Sequence, residues 1–334
     1  MKRPMLLLLA LAILAIAPAA LAGKPQPPPQ PPADPAIVFR DIINGANPAY
    51  HVRVMNADGT NIREVLGPDG GLVLWGLSWS PDAQWIVFAG RFDFWPAGHP
   101  ELNAIGAGIY MIDVNGAALC QVTPLNNYQP VEAEPAWSPG PVPGWGPAKI
   151  VYSDDVPGIS TRDLFFVDPA CGATAVNVTG TPGISESSAT WAPGQTRIAA
   201  GAGVDADQAL LVFDVQAPLL SLAANLGMPA AMQHGPHYPD WSPTGSAIAF
   251  SDATGFASDL WLYSFDQGGW VQLTNTTDLN EHWPSWSPDG TKIAFSLFGG
   301  GSQVYVMDAV PGAPARPLTS GKRNRYQEPD YRAF

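Results

Sequence analysis

The chain has 334 residues, of which 46% are hydrophobic and only 13% are charged, and its formal net charge is −13. An acidic chain without a basic stripe of interleaved aromatic residues is not expected to bind nucleic acid. The 34 glycines and 36 prolines argue against long amphipathic helices and favour many short strands joined by turns.

The first 22 residues have the features of a signal peptide. Two basic residues precede an apolar run, and the small residues Ala20 and Ala22, with Leu21 between them, form an A-x-A cleavage site, so the mature chain is expected to begin at Gly23. The apolar run is short for a membrane anchor. We therefore expect a periplasmic or secreted protein with no membrane span after cleavage. Residues 23–35 are rich in proline and predict an extended linker.

A tryptophan-centred phrase recurs through the rest of the chain. In "PSWSPDGTKIAF" (284–295) a short strand, a tight turn and a second strand follow one another, because the proline and glycine favour the backbone angles of the turn. Two more apolar phrases follow, "QVYVMD" (303–308) and "ARPLTS" (315–320). The pattern predicts four short strands per repeat. The anchoring tryptophans lie 45 to 58 residues apart and are Trp79, Trp137, Trp191, Trp241 and Trp286.

The two ends of the chain predict how the repeats close. Residues 36–67 match the second, third and fourth strands of a repeat, but no first strand precedes them. The missing strand matches "EPDYRAF" (328–334), where Tyr331 takes the place of the tryptophan. A four-stranded unit of about 45 residues is typical of a propeller blade. We therefore predict an all-β, six-bladed β-propeller over residues 36–334, closed by a C-terminal strand that joins the N-terminal blade.

The W-S-P-D-G turn, the following "KIAF" and phrases such as "GIYMIDVNG" (108–116) resemble the TolB-type propeller repeat, which is related to the WD-repeat families. The resemblance covers roughly residues 36–334. The resemblance does not extend to the separate N-terminal α/β domain of TolB. In the place of that domain this chain has the proline-rich linker. Serine-hydrolase chemistry is not expected, because no G-x-S-x-G elbow occurs.

In a propeller, the residues that enter the first strand of each blade surround one mouth of the central channel, and functional residues concentrate on such loops. We predict that this mouth binds a protein or a small ligand. Convergent carboxylates would favour a positively charged group there, and histidines, which titrate near neutrality, would add pH sensitivity. The predicted binding residues are Glu132, Glu134, Glu186, His237, Tyr238, Glu281, His282 and Glu328.

Three histidines near this mouth leave a second interpretation open. His234, His237 and His282 could hold a divalent metal ion, as in the metal-dependent oligogalacturonate lyases, whose repeats are similar. Their spacing matches no defined metal motif, and the same side chains would serve as hydrogen-bond partners for loop backbone. The sequence therefore favours a monomeric, non-catalytic binding scaffold without a cofactor over a polysaccharide lyase.

The chain has two cysteines, Cys120 and Cys171, in the outer parts of neighbouring repeats. Export to an oxidising compartment would allow one disulfide between them. Two separate buried thiols fit the sequence equally well, because the distance between the two Cα atoms cannot be read from it.

Overall fold

The computed structural model describes residues 36–332, except 46, 97, 127–132, 159–160, 182, 205–206, 230–231, 233–234, 253–257, 300 and 322–323. The predicted signal peptide and linker lie outside the described residues, as do Glu132 and His234. The described part is all-β, as the sequence predicts, apart from one 3₁₀ turn at Asp69–Gly71. None of its helical segments has the length and apolar character needed to cross a membrane.

The strands form four-stranded antiparallel groups, which we number as sheets in chain order. The chain begins with β1 (Ile37–Ile43), β2 (Ala49–Met55) and β3 (Arg63–Leu66). Sheet 2 contains β4 (Val73–Trp79), β5 (Trp85–Phe92), β6 (Gly106–Asp113) and β7 (Leu119–Pro124). Sheet 3 contains β8 (Ala136–Trp137), β9 (Ile150–Asp155), β10 (Arg162–Val167) and β11 (Val176–Asn177). Sheet 4 contains β12 (Ser185–Trp191), β13 (Arg197–Val204), β14 (Asp207–Asp214) and β15 (Ser221–Asn225).

The remaining strands complete the set. Sheet 5 contains β16 (His237–Trp241), β17 (Ala247–Ser251), β18 (Leu260–Ser264) and β19 (Gly269–Gln272). Sheet 6 contains β20 (Asn280–Trp286), β21 (Lys292–Phe298), β22 (Ser302–Asp308) and β23 (Arg316–Pro317). The last strand, β24 (Asn324–Tyr331), joins β1, β2 and β3 to form sheet 1.

The two ends of the chain meet in sheet 1. β24 pairs antiparallel with β1, so that Ile37 lies opposite Tyr331 and Arg40 lies opposite Gln327. Sheets 1 and 6 are also joined by one parallel bridge between β22 and β24. The first strands of the sheets, β24, β4, β8, β12, β16 and β20, contact one another in that cyclic order, and β20 contacts β24 in turn.

The W-S-P-D-G phrase forms the hairpin turn between the first two strands. In sheet 6, the Ser287 hydroxyl donates to Asp289 at 2.7 Å, and the backbone N–H of Lys292 donates to the same hydroxyl at 2.9 Å. Gly290 has a φ of 68°, a left-handed conformation that glycine adopts without a steric penalty. These contacts bring the first and second strands of the repeat into register.

The repeated tryptophans pack between neighbouring sheets. Trp79 of sheet 2 is buried with Val38 and Val54 of sheet 1. Trp191 of sheet 4 lies against Phe166 of sheet 3, with 5.1 Å between ring centroids. Burying a large apolar side chain stabilises a fold by about 1.5–3 kcal/mol. Each sheet therefore covers its apolar faces with its neighbours, which it could not do alone.

A disulfide joins sheets 2 and 3. Cys120 on β7 and Cys171, which follows β10, have Cα atoms 5.7 Å apart and form an S–S bond. The structure thus decides between the two alternatives that the sequence left open. Such a cross-link stabilises a fold by about 2–4 kcal/mol.

Candidate functional site

A cavity of about 360 Å³ lies where the first strands of the sheets meet. Two sets of equivalent repeat positions contribute to its lining. The first ring, three residues before each tryptophan or Tyr331, consists of Gly76, Glu134, Ser188, Tyr238, Trp283 and Glu328. The second ring, one residue before it, consists of Ser78, Ala136, Thr190, Asp240, Ser285 and Asp330.

All residues of the first ring share an unusual backbone conformation. Their φ angles lie between 37° at Glu134 and 56° at Gly76 and Tyr238. Glycine reaches this left-handed region freely, whereas bulky side chains rarely do. In sheets 1, 2, 4, 5 and 6, the register between the first and second strands also shifts at this point, as in a β-bulge. A bulge re-aims side chains locally, which explains why this position faces the cavity.

Four members of the second ring, Ser78, Asp240, Ser285 and Asp330, link one sheet to the next. The backbone N–H of a tryptophan or of Tyr331 donates to the second-ring side chain of the preceding sheet. The distances are 3.0 Å from Trp79 to Asp330, 3.2 Å from Trp137 to Ser78, 2.8 Å from Trp286 to Asp240 and 2.9 Å from Tyr331 to Ser285. The lining of the cavity is therefore coupled to the packing of the sheets.

Acidic groups dominate the charge of this lining. Its described residues include four carboxyl groups, from Glu134, Asp240, Glu328 and Asp330, and one basic side chain, Arg332. Burial raises the pKa of Asp240 to about 7. Burial also raises the pKa of Asp330 well above its ordinary value, and the nearby charge of Asp240 raises it further. Two acids in a confined space favour an entering positive charge.

Aromatic side chains of sheets 5 and 6 form a cluster beside the acidic groups. The rings of Tyr238 and Trp283 are 5.0 Å apart between centroids. His282 lies 5.4 Å from Trp283 and 5.3 Å from Phe298, and His237 lies 5.9 Å from Tyr238. All five side chains are partly exposed, so the cluster offers apolar ring surface next to the cavity.

Arg40 of β1 occupies a buried position beside this cluster. Its guanidinium lies 5.7 Å from the centroid of the Trp283 ring and 5.8 Å from that of Trp75. It forms an ion pair with Glu328 at 2.8 Å and donates to the carbonyl oxygen of Leu74 at 2.8 Å. The ion pair balances one of the four carboxyl groups of the lining.

The residues that the sequence singled out fall into distinct places. Glu134, Tyr238 and Glu328 belong to the first ring and line the cavity. His237 and His282 each precede a first-ring residue and lie in the aromatic cluster. The structure therefore brings these five together around one end of the first strands. Their role in binding a ligand remains a prediction, as does any role of Glu132 and His234, which lie outside the described residues.

Glu186 and Glu281 do not line the cavity, contrary to the sequence-based expectation. They are 0% and 2% exposed. Thr181 donates to Glu186, and Thr276 donates to both oxygens of Glu281 at 3.0 and 3.2 Å. Burial raises the pKa of each glutamate to about 7. Both side chains thus hold the loops that precede β12 and β20.

The expectation that His282 titrates near neutrality is wrong. Burial, together with the nearby His237, lowers the pKa of His282 to about 4. Its imidazole is therefore neutral at physiological pH. In the described part of the chain, no group of three or more His, Cys, Asp or Glu side chains is arranged to hold a metal ion. A site that includes His234 remains a prediction.

Three residues of the lining, Asp240, Asp330 and Trp283, were not singled out from the sequence. One signal was available for the aspartates. The residue before the anchoring aromatic reads Ser, Ala, Thr, Asp, Ser and Asp along the six copies, so two acids stand where the other copies have small side chains. Trp283 had no such signal, because its position is Gly, Glu, Ser, Tyr and Glu in the other copies.

Comparison with known proteins identifies the fold. No family model and no curated protein matches the chain. TolB from Acinetobacter baumannii has a TM-score of 0.65 at 17% identity, covering 90% of this chain and 67% of its own. A chain of a nidogen/laminin complex has a TM-score of 0.58 at 10% identity, covering 88% and 98%. Oligogalacturonate lyase in complex with manganese has a TM-score of 0.50 at 14% identity, covering 79% and 74%. The chain has the fold of a TolB-like β-propeller.

Proposed function

We propose that the chain is an exported, non-catalytic binding protein whose cavity and aromatic cluster receive a protein or small ligand. In this proposal the six sheets are the blades of a closed propeller. The pairing of β24 with β1 and the cyclic contacts of the first strands support closure. Export rests on residues 1–22, and the mature protein should begin at Gly23 when its N-terminus is determined by mass spectrometry.

The observation that carries the proposal is the composition of the first ring. Tyr238 and Trp283 have φ angles of 56° and 53°, although glycine would meet this backbone requirement without strain, as Gly76 does in sheet 2. Such conformations cost about 1–3 kcal/mol each and cluster at binding and active sites. Two strained aromatic residues beside a concave, acidic surface favour a role for their side chains in binding.

A protein partner is the simpler of the two kinds of ligand. The similar fold found in a nidogen/laminin complex is an instance of a propeller within a protein assembly. The strands here present the neighbouring side chains of Tyr238 and Trp283 at the cavity, and tyrosine and tryptophan are enriched where proteins recognise one another. We expect the free protein to be a monomer.

A metal-dependent polysaccharide lyase is the second candidate. The proximity of His237 and His282 to Tyr238 and the neutral state of His282 favour it, because neutral imidazole binds metal. The acidic lining weighs against it, since a polyuronate substrate would meet carboxyl groups of its own sign. Mass spectrometry of metals in the purified protein tests this candidate, with one equivalent of divalent metal as the result in its favour.

Site-specific photo-crosslinking tests the binding role. A photoreactive residue at position 188, in the first ring, should crosslink to a discrete partner in the compartment where the protein resides. The same residue at position 310, which is 56% exposed and outside the cavity lining, serves as the control. Trp283→Gly should weaken the crosslink at 188 without straining the backbone. Equal labelling at both positions, or none at 188, would contradict the proposal.

A further inference from the structure

We infer that the cavity binds a primary ammonium group on an apolar stem, namely a lysine side chain of a protein partner. This inference rests on the proposed function and names the chemistry of its ligand. It is carried by the arrangement of the two rings in sheets 5, 6 and 1, where acidic, hydroxyl and aromatic groups occur in consecutive sheets.

The acidic side of the site comes from the second ring. Asp240, Ser285 and Asp330 belong to sheets 5, 6 and 1, which follow one another around the cavity. The Ser285 hydroxyl donates to Asp330 at 3.5 Å, a long bond that a stronger donor would replace. Asp240 already accepts from the backbone N–H groups of Trp286 and Trp241 and from the Thr190 hydroxyl at 3.4 Å, and Asp330 accepts from the backbone N–H of Trp79. A carboxylate has about four lone-pair sites, so each retains room for a further donor. An ammonium has three N–H donors and no acceptor, so these three side chains could share one such group.

The apolar side of the site comes from the first ring. Tyr238 and Trp283 stand two residues before Asp240 and Ser285 on the same strands, with their rings 5.0 Å apart. Lysine places a four-carbon stem along apolar surface while its charged end reaches polar groups. An ammonium near these rings would also gain a cation–π attraction of about 0.5–2 kcal/mol.

The geometry favours an ammonium over a guanidinium. A guanidinium binds best to one carboxylate through two parallel bonds, whereas an ammonium is a compact charge with rotatable donors. Here the two carboxylates come from different sheets and are separated by Ser285. Of the guanidinium groups near the cavity, Arg40 is already engaged by Glu328 at 2.8 Å, outside the second ring, and Arg332 belongs to the lining two residues after Asp330.

A second observation shows that this part of the lining is not satisfied by the protein itself. The indole N–H groups of Trp79 and Trp191 donate to backbone carbonyls of the preceding sheet at 3.2 and 3.1 Å. Trp241, next to Asp240 in sheet 5, and Trp286 of sheet 6 also line the cavity. They are 6% and 9% exposed, and their indole N–H groups have no partner among the described residues. Buried donors without a partner point to a bound group or water, so this part of the lining keeps hydrogen-bonding capacity that the described residues do not use.

The test uses the peptide Ac-Ala-Lys-Ala-NH₂ and its acetyl-lysine form, which lacks the charge. Binding is measured by saturation-transfer NMR and calorimetry at pH 8, where Asp240 is ionised, and at low salt. We expect the lysine peptide to bind at least tenfold more tightly than the acetylated one, and to lose this advantage at 0.5 M NaCl. Equal binding of the two peptides, or a preference that salt leaves unchanged, would overturn the inference.

Matched variants locate the binding. Asp240→Asn and Asp330→Asn each keep an acceptor for the backbone N–H of a tryptophan. Each should lower the affinity for the lysine peptide at least tenfold. Glu281→Gln removes a buried carboxyl group away from the cavity and should leave binding unchanged. If either asparagine variant fails to fold, Ser285→Ala and Trp283→Gly replace it, with a loss expected from both. Unchanged binding in these variants, or the same loss in Glu281→Gln, would overturn the inference.

The peptide and crosslinking experiments can fail independently, so a failure of the lysine inference can be told from a failure of the proposed function. A discrete crosslink from position 188 without any preference for the lysine peptide would retain the binding scaffold and reject the ammonium ligand. A lysine preference that depends on Asp240 and Asp330, but without a partner crosslinked at 188, would retain the ammonium site and reject the protein-binding role.

Discussion

Asp163 with Glu186 and Asp259 with Glu281 occupy the same positions in two repeats, yet their surroundings differ. In the Asp259–Glu281 pair, Asp259 accepts from Gln272 and from the backbone N–H of Thr276, both at 2.9 Å, and both oxygens of Glu281 accept from Thr276. The other pair is less satisfied. Asn177 donates to one oxygen of Asp163 and Thr181 to one oxygen of Glu186, while the second oxygen of each is buried without a partner among the described residues.

The difference teaches that a repeat sets the position of an acid but not how completely its oxygens are hydrogen-bonded. Burial raises the pKa of both glutamates to about 7, and the nearby aspartate contributes in each case. In the Asp259–Glu281 pair, donors from Gln272 and Thr276 stabilise the negative charge of the carboxylates. In the Asp163–Glu186 pair, one oxygen of each side chain has no donor among the described residues. A proton on the unpartnered oxygen of Glu186 would turn that oxygen into a hydrogen-bond donor.

The largest expected effect comes from removing the scaffold on which both pairs depend. Deleting residues 324–334 would leave β1 with an exposed edge and would remove the bonds of Asp330 and Tyr331 to neighbouring sheets. We expect the loss of a cooperative transition in calorimetry and aggregation seen by light scattering. Removing only residues 333–334 is the control. If the longer deletion melts within about 2 °C of the full chain, the sheets are independent of closure and the two pairs are local features.

The next largest effect is the pH dependence to which both pairs contribute. Glu186, Glu281 and Asp240 have pKa values of about 7 in the folded state, above the ordinary 4.5, 4.5 and 3.8. Between those values the folded state binds more protons than the unfolded state, so the free energy of unfolding falls as pH rises towards about 7. His282 acts in the opposite sense, because its pKa is lowered from 6.5 to about 4 and stability is lost as pH falls through that window.

The three raised pKa values outweigh the one lowered value, so we expect stability to fall as pH rises above about 5, with a loss on the order of 3–5 kcal/mol by pH 8, given about 1.4 kcal/mol per pKa unit. Urea unfolding across this range measures it. The double variant Glu186→Gln/Glu281→Gln should flatten the slope, because neither amide titrates. A protein that is most stable at pH 8 would contradict the raised pKa values.

The sequence predicted the four-stranded repeats on which these pairs lie, and the reason is physical. Each anchoring tryptophan fills space between two sheets, so its spacing reports the repeat, and Tyr331 could be recognised as a substitute for it. Glu134, Tyr238 and Glu328 line the cavity together because they share one repeat position, and their binding role stays a prediction.

Glu186 and Glu281 were misplaced for an equally physical reason. They precede the first ring by two residues, and strict alternation along a strand would put them on the same face as the ring. The register shift beside Ser188 and Trp283 interrupts that alternation, and a one-residue shift changes the face that a side chain occupies. A bulge at a non-glycine residue leaves no clear mark in a single sequence, nor does the approach of Cys120 to Cys171.

A smaller effect separates the two pairs directly. In Glu186→Gln the new amide can donate where an orphaned oxygen stood, and Asp163 has an oxygen to receive it. We expect about 2 kcal/mol of added stability at pH 8. In Glu281→Gln the gain from removing a buried charge is offset, because Thr276 loses one of its two acceptors. Urea unfolding at pH 8 compares the two, and an equal or larger gain in Glu281→Gln would refute the distinction.

The smallest effect concerns the two threonines, Thr181 and Thr276, whose hydroxyl groups donate to the glutamates. Thr276→Val removes the side-chain donor of both Glu281 oxygens, whereas after Thr181→Val the hydroxyl of Thr179 still interacts with Glu186. We expect Thr276→Val to cost about 1–2 kcal/mol at pH 8 and Thr181→Val less. Both losses should shrink at pH 5, because hydrogen bonds to an ionised carboxylate are about twice as strong as those to a neutral group. Thr→Ser at each position keeps the hydroxyl and should remain close to wild type. Thermal unfolding at the two pH values measures these differences. If Thr181→Val loses more stability than Thr276→Val, or if a serine variant is as unstable as its valine counterpart, the hydroxyl bonds do not distinguish the pairs.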